Sequence, residues 1–229
     1  MLELAERLTS AQTKRRADNV YHTLKRAILL RERQPGDVLL EQDLASEMNC
    51  SQGTVREALM RLQHDGLVTR RGYRGTAVSA TSTDEAALLA TVRIRIEVNA
   101  AARAASASPD GLEELHVIVN SMRESEAIGD TYGLSELDHR FHGLILRAAG
   151  LEAVEPILTR CMLHMHRHTV GNPLRRDQPY GDQAADAHDA LLSELETGNA
   201  EKAQTAVRRH IESVIRRWSP DIWKLMPSA

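Results

Sequence analysis

The stretch Ser51-Gln52-Gly53-Thr54-Val55-Arg56-Glu57-Ala58-Leu59-Met60-Arg61-Leu62-Gln63-His64-Asp65-Gly66-Leu67-Val68 decides how the first third of this chain folds. Val55, Ala58, Leu59 and Leu62 recur at three- and four-residue spacing, which places them on one face of a helix over roughly Gln52–Asp65. Ser51 is a good N-cap for that helix, and Gly66 stops it. Upstream, Leu44, Ala45 and Met48 give a short helix over Glu41–Met48, with Asn49-Cys50-Ser51 as the turn between the two. Further upstream, Gln34-Pro35-Gly36-Asp37 breaks the chain, because Pro lacks a donor and Gly accepts positive φ. Before it, Val20, Leu24, Ala27 and Ile28 predict a helix capped by Asp18. Downstream, Leu67–Arg70 and Thr76–Ser79 are β-prone runs, joined by Arg71-Gly72-Tyr73-Arg74-Gly75 as a hairpin tip.

Helix, helix, turn, helix and basic hairpin follow one another in the order of a winged helix-turn-helix. In that arrangement the third helix enters the major groove of DNA by its N-terminal end. Its exposed face is expected to offer Gln52, Gly53, Thr54 and Arg56. Arg56 can pair with guanine O6 and N7, and Gln52 with adenine N6 and N7. Arg70, Arg71 and Arg74 fall on the wing, where phosphates would run. On pattern alone, three short helices and a hairpin also fit other small α/β modules.

The whole chain has 229 residues, 29 Lys+Arg and 32 Asp+Glu, for a net charge of -3, which does not by itself point to DNA. Cut at residue 80 it divides into a first part with 13 basic and 10 acidic residues and a remainder with 16 and 22. A mildly basic head and an acidic body suggest two jobs. Hydrophobic residues at 42% argue against disorder, and no apolar run approaches the roughly 20 residues of a membrane span. The start has no apolar signal segment, and two cysteines, Cys50 and Cys161, make no disulfide framework. A reducing, cytoplasmic setting without membrane partners is the expectation. Aromatic residues at 3% disfavour a sandwich or barrel.

From Thr83 onward the pattern is helical throughout. Thr83-Asp84-Glu85 starts a helix to about Ser106, and Pro109 opens a second to about Ala127. Further helices fit Tyr132–Ala149, Glu152–Thr169, Asp182–Thr197 and Ala200–Trp218, with Gly171–Gly181 as a loop. The resulting division is an arm over 1–17, a winged helix over 18–80, an all-helical antiparallel bundle over 81–218 and a tail over 219–229 that can dock through Trp223 and Leu225. In the bundle, Asp138 and His142 are four apart and share a helix face. His188 and His210 lie on the last two long helices, which an antiparallel pairing can bring level. One carboxylate and three imidazoles suit zinc, nickel, iron or manganese. Spacing alone leaves each histidine open to being a buried, hydrogen-bonded side chain instead.

Two sets of motifs carry a resemblance. Pro35-Gly36-Asp37, Leu44-Ala45, Ser51 with the Val55–Leu59 run, Asp65-Gly66-Leu67-Val68 and Arg71-Gly72 resemble the N-terminal domain of GntR-superfamily transcription regulators. Leu137-Asp138-His139-Arg140-Phe141-His142, Ala187-His188-Asp189-Ala190-Leu191, Gly198-Asn199-Ala200 and His210-Ile211 resemble the FCD effector domain of the FadR subgroup. The Arg93–Glu97 run with Ala100, Ala101 and Ala104 resembles its first helix. The resemblance implies a mainly α protein that is a homodimer on an operator, most often a repressor. It also implies a divalent metal held by Asp138, His142, His188 and His210, with Arg93 facing the pocket; an open position on such an ion would suit a small carboxylate effector, with Arg93 as its second anchor. Arg56, Arg71 and Gly72 match DNA-contacting positions of the family, and Ser51, kept at the turn, is a further DNA-binding candidate. Gln42 and Gln52 stand where the family often places Arg, a departure that bears on the half-site and not on the fold. His164, Met165, His166, Arg167 and His168 lie outside that pattern. They read as a polar helix end with cationic histidines, or His164 and His168 line the effector pocket. A rival reading is a metal-dependent enzyme with an accessory winged helix, for which Glu97 and Asp189 are the only acid-base candidates.

Overall fold

Ser51 Oγ accepts from the Thr54 amide at 3.1 Å, so the recognition stretch begins as its sequence implies. The computed structural model describes residues 2–72, 75–107, 112–170 and 183–226, with side chains from residue 14 onward. Two compact units divide at Ala80/Thr81. Tyr73, Arg74, Pro109 and the Gly171–Gly181 loop lie outside the described residues, so the expectations placed on them are not addressed by the structure.

The first unit contains α1 (Leu2–Leu29), β1 (Val38–Leu39), α2 (Glu41–Glu47), α3 (Gln52–His64), β2 (Val68–Arg70) and β3 (Thr76–Val78). The three strands are antiparallel in the order β1-β3-β2, with Val38 opposite Ala77 and Thr69 opposite Ala77 on the other side. Val55, Ala58, Leu59 and Leu62 of α3 are buried with Leu24 and Ile28 of α1 and Leu44 of α2. Two expectations are corrected. The segment 2–17 is not an arm but the beginning of α1, and Asp18 is not a cap: it sits mid-helix and pairs with Arg61 at 2.5 Å. The edge strand β1 was not expected from the sequence.

The second unit contains α4 (Thr83–Ala105), α5 (Glu113–Ala127), α6 (Thr131–Ala148), a 3-10 turn at Glu152–Val154, α7 (Glu155–Thr169), α8 (Ala184–Glu196), α9 (Ala200–Trp218) and α10 (Pro220–Leu225). α4 starts at Thr83, as its acidic run suggests, and Ser82 caps it. Ser82 Oγ accepts from the Glu85 amide, and Glu85 accepts from the Ser82 amide, a reciprocal capping box. α4 packs against α6, α7 and α9, while α5 packs on α6 and α8, so α4, α6, α7, α8 and α9 surround a common interior. Phe141, Ile145, Leu146, Met162, Leu192, Val207 and Ile211 fill it. The tail is a further correction. It forms α10 and docks through buried Ile222 with partly buried Trp223, whereas Leu225 is exposed.

Candidate functional site

Each helix around the interior contributes a polar side chain to one buried cluster. α6 brings Asp138 and His142, α8 brings His188 and α9 brings His210, and one ligand atom from each lies within 4.8 Å of the others. The His142, His188 and His210 rings form a triangle with centroids 4.5 to 5.5 Å apart. His188 Nε2 is 3.1 Å from Asp138 Oδ1, and His142 Nε2 is 3.7 Å from the same oxygen. The four residues that the spacing and the resemblance singled out are thus brought together.

Contacts on the far side of the cluster orient two of its rings. His188 Nδ1 donates to the Ala184 carbonyl at 2.7 Å, which leaves a lone pair on Nε2. His142 Nδ1 is paired with Glu97 Oε2, which leaves a lone pair on its Nε2. His210 Nε2 is buried without a hydrogen-bond partner among the described residues. The Nε2 atoms of His188 and His142, with the His210 ring beside them, therefore converge on one carboxylate oxygen. Such an arrangement calls for a cation within it, a metal ion or a proton on an imidazole. A proton on His142 relieves one contact, and the flanking Glu97 and Asp138 carboxylates outweigh burial to raise that imidazole to about 9. A second proton is resisted: burial and the neighbouring His188 and His142 push His210 well below its usual value. A divalent ion satisfies all the lone pairs at once, and the oxygen-plus-imidazole donor set fits a borderline transition metal.

Glu97 on α4 supports this group and was undervalued in the sequence. Its Oε1 accepts from Arg93 Nε at 2.6 Å while its Oε2 faces His142, all three being essentially buried. The signal was the four-residue spacing of Arg93 and Glu97 on one helix face. Burial opposes ionisation of Glu97, but His142 and Arg93 hold its carboxyl below the usual range. The Arg93 guanidinium also reaches to 3.9 Å from Asp138 Oδ2.

The histidine cluster of α7 is arranged differently from expectation. Residues 161–167 are buried on every side, so this is not a solvated polar helix end. His166 reaches the site: its Nε2 donates to Asp138 Oδ2 at 3.0 Å. His164 turns away to Thr81 Oγ1. Burial, followed by Arg167 and Arg160, lowers it to about 4, so it is neutral rather than cationic near pH 7. His168 is partly buried.

In the first unit, Gln42, Ser51, Gln52 and Arg56 are exposed around the start of α3, and Arg70, Arg71 and Gly72 are exposed at the wing. Thr54 is the exception. It is buried, and its hydroxyl lies 2.9 Å from Ser51 Oγ, so it supports the cap instead of offering a donor to DNA. Its place four residues before Ala58 explains this, since both lie on the inward face. Arg56 is held by Glu41, Nη2 to Oε2 at 2.6 Å, a bond that keeps the Glu41 carboxyl below its usual range.

Residues 16–78 match the bacterial regulatory proteins of the gntR family, and residues 88–213 match the FCD domain. An HTH-type transcriptional regulator in an unstable DNA locus of Streptomyces ambofaciens is 28% identical over 94% of this chain and 92% of its own. A probable D-xylose utilization operon transcriptional repressor of Paenarthrobacter nicotinovorans is 27% identical over 79% of this chain and 78% of its own. Among solved structures, Escherichia coli McbR/YncC superposes with a TM-score of 0.72 at 17% identity, covering 90% of this chain and 97% of that one, a likeness of fold.

Proposed function

The chain belongs to the gntR family of bacterial regulatory proteins and carries an FCD domain, and from that premise we propose that it is a metal-loaded repressor that answers to a small carboxylate. It is a transcriptional regulator and not an enzyme, so the rival metalloenzyme reading falls away. Asp138, His142, His188 and His210 would hold the ion. When bound, the ion supplies a Lewis-acidic coordination position for an anionic oxygen.

The observation that carries this reading is the convergence of Asp138, His142, His188 and His210, whose ligand atoms lie within 4.8 Å of one another, with His210 Nε2 buried and without a hydrogen-bond partner among the described residues. Charge supports the second half. Arg93 contributes one positive charge, and Glu97 and Asp138 one negative charge each. With neutral imidazoles, a divalent ion turns that buried excess of one negative charge into an excess of one positive charge. A monoanion restores neutrality, and burial makes that neutrality worth far more than in water. Arg93 is placed to give a carboxylate a second anchor. His166 would line the pocket beside Asp138, whereas His164 bonds Thr81 instead.

Gln42, Gln52 and Arg56 would read base edges, while Arg70, Arg71 and Gly72 would hold the backbone, with Arg74 completing the wing. Two copies on a pseudo-palindromic operator present two such heads. An effector that favours one arrangement of the heads shifts the population toward it, and linkage requires operator and effector to oppose each other equally. The test is a fluorescence-anisotropy titration of the zinc-loaded chain with an operator duplex, repeated across a panel of metabolite carboxylates. At least one carboxylate should weaken operator binding, and metal stripping should abolish that response. A response that survives stripping would refute the metal's part in it.

A further inference from the structure

The two oxygens of Asp138 face different partners. Oδ1 meets His188 Nε2 at 3.1 Å and His142 Nε2 at 3.7 Å, on the side where the imidazoles of the candidate metal ligands converge. Oδ2 meets His166 Nε2 at 3.0 Å and Arg93 Nη2 at 3.9 Å, on the side where both neighbours are donors. We propose that His166 is a positioning residue that holds Asp138 Oδ2 away from the ion, so that Asp138 offers Oδ1 alone and one coordination position stays open for the effector. The inference rests on the metal reading above and adds to it the residue that keeps the position open.

The physical reason lies in the competition for Oδ2. A carboxylate beside a divalent cation can ligate through one oxygen or through both. Which it does depends on whether the second oxygen has a better use. Here Oδ2 is a hydrogen-bond acceptor for a side chain that is 2% exposed, on a helix buried from 161 to 167 that has no room to turn. Releasing Oδ2 to the ion would orphan the His166 donor inside the protein, which costs more than the bond gained at a second, strained ligand position. Arg93 lies on the same side but already spends its Nε on Glu97, and it is the group an incoming carboxylate would draw toward itself. His166 therefore keeps Oδ2 occupied when Arg93 is engaged. Asp138 is partly buried at 13% side-chain exposure, the least enclosed member of the cluster, so its rotation is the movement the packing resists least.

The test uses the full chain, stripped with a chelator and loaded with cobalt(II), whose visible bands report coordination number, with acetate as the carboxylate probe. The wild-type chain should bind one cobalt, and acetate should shift the bands saturably. His166→Leu should still bind one cobalt, with bands already altered and insensitive to acetate, because Oδ2 has swung onto the ion. His166→Gln, which restores a donor, should recover the acetate response. The inference is overturned if His166→Leu gives the wild-type spectrum and acetate response, or if it binds no cobalt while folded. It is also overturned if wild-type bands ignore acetate, because the position is then not open. A wild-type chain that binds no cobalt instead refutes the metal reading on which the inference stands. Should His166→Leu fail to fold, isotope-edited difference infrared spectroscopy of aspartate-labelled wild-type protein decides the matter. A carboxylate splitting wider than that of free carboxylate is expected of a single-oxygen ligand, and a narrower one refutes the inference.

Discussion

Removing the metal should leave a protein whose stability falls on both sides of about pH 6.5. The alkaline limb comes from His142, raised to about 9 because Glu97 and Asp138 outweigh its desolvation. Between pH 6.5 and 9 the folded chain keeps a proton that the unfolded chain has released. That stabilisation is complete below 6.5 and is lost as pH rises through 9. A shift of that size corresponds to about 3 kcal/mol. The acid limb comes from His164, lowered to about 4 chiefly by burial, and from His210, pushed well below its usual value by burial and by His188 and His142. At both the unfolded chain gains a proton that the folded chain refuses, so stability falls from pH 6.5 toward 4, the His164 share being up to about 3 kcal/mol. Trp218 and Trp223 are the only tryptophans and both lie in the helical unit, so urea denaturation followed by their fluorescence reads that unit alone. Stability should be measured in chelator at half-unit steps from pH 4.5 to 8.5, and again with zinc. Zinc should remove the alkaline limb, since the ion and the His142 proton compete for one lone pair, and should leave the acid limb in place. His164→Asn should reduce the acid limb and leave the alkaline limb unchanged. A metal-free profile that is level from pH 6.5 to 8.5, or an alkaline limb unchanged by zinc, would refute the proton assignment of the cluster.

Four further outcomes are expected. Arg56→Ala should reduce discrimination between operator and random DNA by ~1–3 kcal/mol, read by anisotropy on both duplexes. Arg71→Ala should weaken both duplexes alike and flatten the salt dependence of binding; unequal losses would give it a base-reading role. Glu97→Gln should lower zinc affinity by roughly 10–100-fold through loss of the His142 orientation, and His188→Ala by more than that, both by calorimetric titration. Ser82→Ala removes the cap of α4 and should cost about 1 kcal/mol, or roughly 2–4 °C in thermal unfolding followed by tryptophan fluorescence.

How much of this was readable in the chain differs from element to element. The α3 face and its Ser51 cap follow from spacing alone, and so do the long helices α4, α6 and α9, because helical periodicity is local. Asp138 and His142 share a face by the same local rule. His188 and His210 do not, since their meeting depends on how α8 and α9 are paired, and only the FCD resemblance supplied that. Burial of Thr54 was readable from its position one turn before Ala58, yet the hydroxyl invited a functional assignment. His164, His166 and His168 alternate along α7, and spacing separates their faces without saying which face turns inward. That depends on α4 and α6 packing on either side. β1 is two residues long, too short to leave a period, and it exists because β3 offers it an edge.

The central claim is that the helical unit is built around one divalent ion. Calorimetric titration of the chelator-stripped full chain with zinc tests it most directly, with Asp138→Asn beside it. The expected result is one ion per chain for the wild type and a large loss of affinity for Asp138→Asn. Absence of binding, or binding unaffected by that substitution, would contradict the account.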